Sequence, residues 1–408
     1  MVTSATTRSR TSVPVFADTV FENLPRTDQR RWAHVYLQSL LTTTGKKSVR
    51  RLAATASQSP TASQSLHQFI NASPWDWAPV REELSRWTAR RMTPLAYAID
   101  LAVIRKRGEH SCGVHRRFVP ATGRSVTCQV GIGAFLTDQD LAVPVDWRLM
   151  LPGAWAKDPD RRRRTRIPDD IGQRPLEQHV LDLVDHLLPV TAPAPVPVLA
   201  DLSAEPGAGG LVRGLAQRNR DFVVAVPGNL PVVAGRHLRL TPHSAVGDSG
   251  LVLTARSLFE IETGGLARIE TIAPGPGAPR PTTVLTGFVA LPGTAPAPGV
   301  LPRRTYRLFA LRDQARRPAQ LWLTNLTHSR VDSLLEITRL QSRTTETVQR
   351  LEEDFGLADF EGRSFPGWHH HMTLVSAAFA YSRLSGSGSG PGGGFGSASE
   401  PDAPAPVV

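Results

Sequence analysis

Cysteine is scarce in this chain of 408 residues, which holds two, Cys112 and Cys128. Two thiols build neither a disulfide framework nor a zinc site by themselves, so each reads as a small buried apolar residue. Long apolar runs are also missing. Hydrophobic residues make up 40% of the chain, yet no stretch is long enough to span a bilayer, and no membrane partner is expected. The opening MVTSATTRSRTSVPVF has no apolar core ahead of a small-residue cleavage site. That argues against a secretory signal and makes a bacterial cytoplasm the expected compartment. There is no internal repeat. Two phosphate-binding lures fail as well. GKKS at 45–48 lacks the upstream glycine of a phosphate loop, and the glycines at 207, 209 and 210 lack a full dinucleotide fingerprint with its downstream acid.

What the chain has in surplus is positive charge: 47 Lys and Arg against 36 Asp and Glu, a net +11 at pH 7. A surplus of that sign draws polyanions through phosphate contact and counterion release. Arginine outnumbers lysine, which suits bidentate phosphate contact and equally suits a GC-rich genome. The cations gather in clusters. Lys46, Lys47, Arg50 and Arg51 surround the start of a helix, Arg105 and Lys106 follow a strand, and Arg161, Arg162, Arg163 and Arg164 follow Asp158-Pro159-Asp160. These ten residues are the candidate DNA contacts, with double-stranded DNA as the expected partner. The plainer alternative for each cluster is a solvated surface.

Apolar spacing sets the organisation. Residues 28–41, 46–54, 63–70 and 75–92 read as helices, with Trp32, Val35, Tyr36 and Leu40 on one face of the first. From 96 the period changes to strands at 96–104, 125–136 and 141–149, followed by a helix over 175–188. A buried strand at 196–201, a helix at 210–219 and a strand at 222–226 come next. Residues 227–325 are rich in strand and turn signals, interrupted by Pro/Gly runs such as 273–279. Helices return at 330–355 and 368–384, and the Gly/Ser/Pro tail cannot bury enough surface to order itself. Periodicity gives a mixed α/β class.

Near the C-terminus, residues 360–375 read FEGRSFPGWHHHMTLV. This closely resembles the C-terminal signature of bacterial insertion-sequence transposases of the DDE type, which read FEGRSW-x-GWHHH-x-TLV. KKSVRRLA at 46–53, SLHQFI at 65–70 and SPWDW at 73–77 are similar to the helical N-terminal domain of that family. The resemblance implies a ribonuclease-H-like (retroviral-integrase-like) α/β core with an N-terminal helical domain and a β-rich insertion. On that frame 1–20 is a disordered N-terminus, 21–93 the helical domain and 94–226 the first part of the core. The insertion spans 227–328, the helices that complete the core 329–384, and a disordered tail 385–408. The implied activity is cleavage and strand transfer of DNA at element ends, with a homodimer on DNA as the expected assembly.

That chemistry rests on three carboxylates holding two Mg2+ ions, one activating the attacking oxygen and one stabilising the leaving oxygen. Where the family has DDT, this chain reads Asp100-Leu101-Ala102, keeping the first D. Where the family has LADAGYG, it reads LADLSAE and keeps Asp201. The third acid of the family, on a helix before the FEGR block, falls on Thr345, with Glu346 one residue later and Glu353 where a lysine belongs. One residue turns a side chain by about 100° around a helix, so Glu346 does not simply replace Thr345. The candidate catalytic residues are therefore Asp100, Asp201 and Glu346, with Asp100 and Asp201 as the metal ligands. The plainer alternatives are a turn cap for Asp201 and a solvated helix face for Glu346. His369, His370 and His371 point about 100° apart on a helix, which favours packing or phosphate contact over a shared ion. Two functions stay open: a transposase with weakened or lost catalysis, needing Mg2+ if active, and a non-catalytic, domesticated DNA-binding or regulatory descendant.

Overall fold

The computed structural model describes residues 11–56, 59, 61–119, 122–191, 196–234, 252–260, 267–275, 277–292, 304–312 and 318–386. The tail expected to be disordered lies outside these residues beyond 386, as does the N-terminus before 11.

Five helices open the chain: α1 (Val13–Val20), α2 (Thr27–Thr42), α3 (Val49–Ala56), α4 (Ala62–Asn71) and α5 (Ala78–Ala89). The apolar stripe of α2 buries Ala33, Tyr36, Leu37 and Leu40, and that of α4 buries Leu66, Phe69 and Ile70. Within the 1–20 stretch expected to be disordered, residues 13–20 form α1. Pro14 sits in its first turn, and Phe16, Ala17 and Val20 are buried, with the Phe16 ring 4.6 Å from Trp87. A helix this short is held by packing its apolar side rather than by propensity.

Strands β1 (Ala96–Arg105), β2 (His115–Val119), β3 (Arg124–Thr137) and β4 (Ala142–Leu149) pair antiparallel, with β3 next to all three others. Then come α6 (Ala154–Lys157), α7 (Pro159–Thr165), α8 (Leu176–Thr191), β5 (Val198–Asp201), α9 (Ala208–Gln217) and β6 (Phe222–Val226). β5 lies parallel to both β1 and β6. Its continuous apolar run suits a strand covered by helices on both faces.

The strand-rich stretch holds β7 (Pro231–Ala234), β8 (Val252–Thr254), α10 (Ala255–Glu260), β9 (Ala267–Gly275), β10 (Gly277–Ala290), β11 (Tyr306–Arg312) and β12 (Pro318–Thr324). β12 pairs antiparallel with β6, so this stretch extends the same sheet. The Pro/Gly run at 273–279 does not end the strands: β9 and β10 pair through it, with a register shift between Gly277 and Arg280. Helices α11 (Val331–Glu353) and α12 (Phe365–Leu384) follow. The sheet order is β2-β3-β1-β5-β6-β12-β11-β10-β7-β8, with β4 on β3 and β9 on β10. This is a mixed α/β fold around an open sheet.

Side-chain alternation divides the core. Tyr97, Ile99, Ile132 and Val198 face α8 and α9 on one side. Ala98, Ala102, Phe135, Trp147 and Leu199 face the other, in one continuous apolar cluster with α1–α5, α11 and α12. Gly133 in β3 allows this face to close. A Cβ there would stand 2.7 Å from the Trp147 ring.

α12 is buried on every side from Phe365 to Ala380, apart from Pro366. His369 stacks on Trp77 with ring centroids 4.5 Å apart, and His370 stacks on Trp75 at 3.8 Å. His371 lies 3.0 Å from both the Tyr36 hydroxyl and the Gly356 carbonyl. Burial pushes His370 and His371 down to about 4 and His369 well below its ordinary value, so the run is neutral packing. Buried this way, none of the three can meet phosphate.

Beside them Arg81 is 1% exposed and joins α5, β4 and α12. It donates to Asp146 Oδ1, the Trp147 carbonyl and Thr373 Oγ1, each at 2.7 Å, and to the His369 carbonyl at 2.8 Å. Burial alone would raise the Asp146 carboxyl, but Arg148 and Arg81 outweigh it and hold the group well below the usual range. Deleting one partner of such a buried pair ordinarily costs about 3–5 kcal/mol.

Candidate active site

β1 and β5 run in register from Tyr97↔Val198 to Ile99↔Ala200. One residue further along, Asp100 and Asp201 stand side by side on neighbouring strands, whose spacing is about 4.8 Å. Asp100 follows the alternation of Ala98 and Ala102, and Asp201 that of Leu199, so both carboxylates face α11.

The surroundings of the pair are largely neutral donors. Asp100 Oδ2 accepts from Thr344 Oγ1 at 2.7 Å and from Thr345 Oγ1 at 3.1 Å, and Oδ1 accepts from the Leu101 amide at 2.7 Å. Asp201 Oδ2 accepts from Gln320 Nε2 of β12 at 2.7 Å. Its Oδ1 accepts from the Ser203 amide at 2.8 Å, so Asp201 also caps the turn after β5. Gln341 Nε2 reaches the Ile99 carbonyl at 3.3 Å, completing a polar facet of α11 at positions 341, 344 and 345. Burial raises the Asp100 carboxyl above its ordinary value. The neighbouring Asp201 charge adds to this, while the threonine hydroxyls and the Leu101 amide oppose it.

Glu346 is turned away from this facet. It is exposed and pairs with Arg343 at 3.2 Å, as the 100° rotation per residue requires. Thr344 and Thr345 are the side chains that meet Asp100. Among the described residues no group of three or more His, Cys, Asp or Glu side chains stands together as a metal site. Two carboxylates, with all four oxygens already accepting protein hydrogen bonds, do not fit a pair of Mg2+ ions. Thr344, Gln320 and Gln341 had no signal in the sequence beyond their polarity.

The basic clusters separate into anchored and unanchored cations. Lys47 is 4% exposed, and its ammonium bonds the Thr43 carbonyl. Lys106 donates to the Ala358 and Phe360 carbonyls at 3.2 and 2.9 Å, and burial pushes it down to about 8. Lys106 and the Lys47 amide, which donates to Asp359 Oδ2 at 2.6 Å, hold the 354–361 loop, and both ammonium groups are committed to protein carbonyls rather than free for phosphate. Lys46 pairs with Glu361 at 2.7 Å at the surface, and Arg51 bonds the Thr44 carbonyl. Arg50 and Arg105 are exposed.

The arginine run forms α7, capped by Asp158 with Pro159 in its first turn. Arg162 bonds the carbonyls of Ala156, Pro168 and Ile171. Arg161 lies over Trp155, Arg163 pairs with Asp160, and Arg164 is exposed.

Among curated proteins none matches this chain. A solved structure, the cryo-EM structure of the piggyBac transposase synaptic complex with hairpin DNA, is similar with a TM-score of 0.40 and 12% identity. That match covers 88% of this chain and 66% of the other, just under two thirds of its length. A family model described as DDE superfamily endonuclease matches residues 19–255, more than half of the chain and the segment that carries both Asp100 and Asp201. This chain belongs to the DDE superfamily endonucleases.

Proposed function

We propose that this protein is a DNA-binding transposase of the bacterial insertion-sequence type, built on a ribonuclease-H-like core, whose strand cleavage is weakened or lost. The reading rests above all on one observation: Asp100 and Asp201 are adjacent and face α11, while the helix side chains that meet Asp100 are the neutral Thr344 and Thr345. Family membership and the net charge of +11 support duplex DNA as the partner. The helical segment 21–93 and the exposed arginines of α7, Arg163 and Arg164, are its contacts, 227–328 is the β-rich insertion, and the protein acts as a homodimer. Mg2+ belongs to this reading only so far as the remaining pair retains it, and no step is assigned to it.

The neutral facet of threonines and glutamines equally favours the neighbouring reading of a domesticated, non-catalytic DNA-binding protein. Purified protein should retain duplex DNA at low salt and release it as salt rises. With Mg2+ or Mn2+ it should nick a plasmid carrying its gene and flanking sequence weakly or not at all. Strong nicking that disappears in Asp201→Asn would make the protein an active transposase. Failure to retain duplex DNA at low salt would remove both readings.

A further inference from the structure

The β2–β3 hairpin forms one edge of the sheet, and its outer residues are unlike an ordinary edge. Phe118 is 58% exposed, and Arg116 beside it on the same face is exposed with no partner among the described residues. An edge strand is usually blunted by charge, not crowned by an aromatic ring. In the register of β3, Arg116 lies opposite Thr127 and Phe118 opposite Ser125. Along β3 these positions alternate with Gly131 and Gly133, and Gly133 lies opposite Asp100. Arg116 and Phe118 are therefore on the same face of the sheet as the acidic pair, roughly 20 and roughly 27 Å away along the strand.

On that face, between the hairpin and α6, lies a cleft of about 330 Å3 lined by Arg116, Thr127, Glu109, Trp155 and Arg161, among others. Trp155 is held from behind by its indole N–H on the Val114 carbonyl at 2.7 Å, with the Arg161 guanidinium 5.2 Å from its ring. The two cations sit at the cleft, Arg161 with Asp158 Oδ2 3.5 Å from its Nε, while Phe118 stands two residues further along the strand. The cleft falls in the size range of small-molecule sites, about 300–1,000 Å3. It is far too small for a duplex whose major groove alone is about 12 Å wide.

We infer that this cleft receives a single unpaired nucleotide of a bound DNA end. Its phosphate enters the cleft and meets Arg116 and Arg161, and its base lies outside the cleft, stacked on the exposed Phe118 ring. Aromatic stacking is tolerant of sequence because every base has a π-face. Charge complementarity selects a nucleic acid over an apolar peptide here. The inference rests on the DNA-binding reading above and goes beyond it by assigning a separate site for an unstacked base.

The test compares two fluorescent probes in the full chain: a blunt duplex, and the same duplex ending in three unpaired nucleotides with 2-aminopurine among them. The wild type should bind the frayed probe about tenfold more tightly, since stacking of one base changes affinity by roughly five- to a hundredfold. Its 2-aminopurine emission should change on binding. Phe118→Leu and Arg116→Gln should each lose most of that preference while holding the blunt duplex as well as the wild type. Equal affinity of the wild type for both probes, or a preference untouched by both substitutions, would overturn the inference and leave duplex binding standing. Absence of binding to either probe would overturn both.

Discussion

The hydroxyl of Thr345 stands 3.1 Å from Asp100 Oδ2, on the turn of α11 where the DDE resemblance locates a third carboxylate. A neutral donor there stabilises the Asp100 charge by hydrogen bonding but adds no anion for a cation to share.

Thr345→Glu should therefore create a divalent-ion site. Cation affinity follows the number of anionic ligands, so Mn2+ binding by calorimetry should tighten by at least about tenfold over the wild type. Glu346→Gln should leave it unchanged, because Glu346 faces Arg343. Equal Mn2+ affinity in Thr345→Glu and wild type would show that position 345 does not reach the pair.

Asp100 should make stability depend on pH in a definite direction. Its carboxyl is raised from 3.8, chiefly by burial, so the folded chain holds this proton more tightly than the unfolded one. The group's contribution is complete below the ordinary value and is lost as pH rises through the folded value, leaving a penalty at neutral pH. Asp100→Asn should remove that penalty and raise Tm by roughly 2 °C at pH 7.5. The advantage should shrink as pH falls toward 4. A variant no more stable than wild type at pH 7.5 would contradict the sign.

The arginines of α7 should divide by role. Arg162 is committed to three carbonyls, so Arg162→Ala should lower Tm, by the loss of charged hydrogen bonds worth about 1.5–3 kcal/mol each in partly buried settings. Arg164 is exposed, so Arg164→Ala should leave Tm alone and reduce the slope of log K against log salt by about 1. A salt slope lowered by Arg162→Ala but not by Arg164→Ala would reverse the assignment.

Much of the fold was legible because it rests on periodicity. The alternation at 96–104, the apolar run before Asp201 and the helical spacing around Tyr36 each fix a local conformation and a buried face. The pairing of Asp100 with Asp201 was legible through motif resemblance, and the register of β1 and β5 bears out their adjacency. What escaped was long-range. Nothing local in Gln320 says that β12 will lie against β6 and bring that amide to Asp201. Nothing in Lys47 or Lys106 says that the 354–361 loop will fold over them. α7 could have been read from Asp158-Pro159, a cap and first-turn signal masked by the arginines that follow.

The burial of α12 on all sides has a consequence for how this protein is made. Tyr36, Ile70, Trp75 and Arg81, all in the first hundred residues, bond to or stack on histidines or Thr373 of the last described helix. During synthesis those partners emerge after the rest of the described fold, so the N-terminal helices wait, with their apolar faces unmatched, until α12 has been made. A truncated product would lack the central pillar rather than a terminal ornament. Interrupted translation of this chain would thus yield an aggregation-prone fragment.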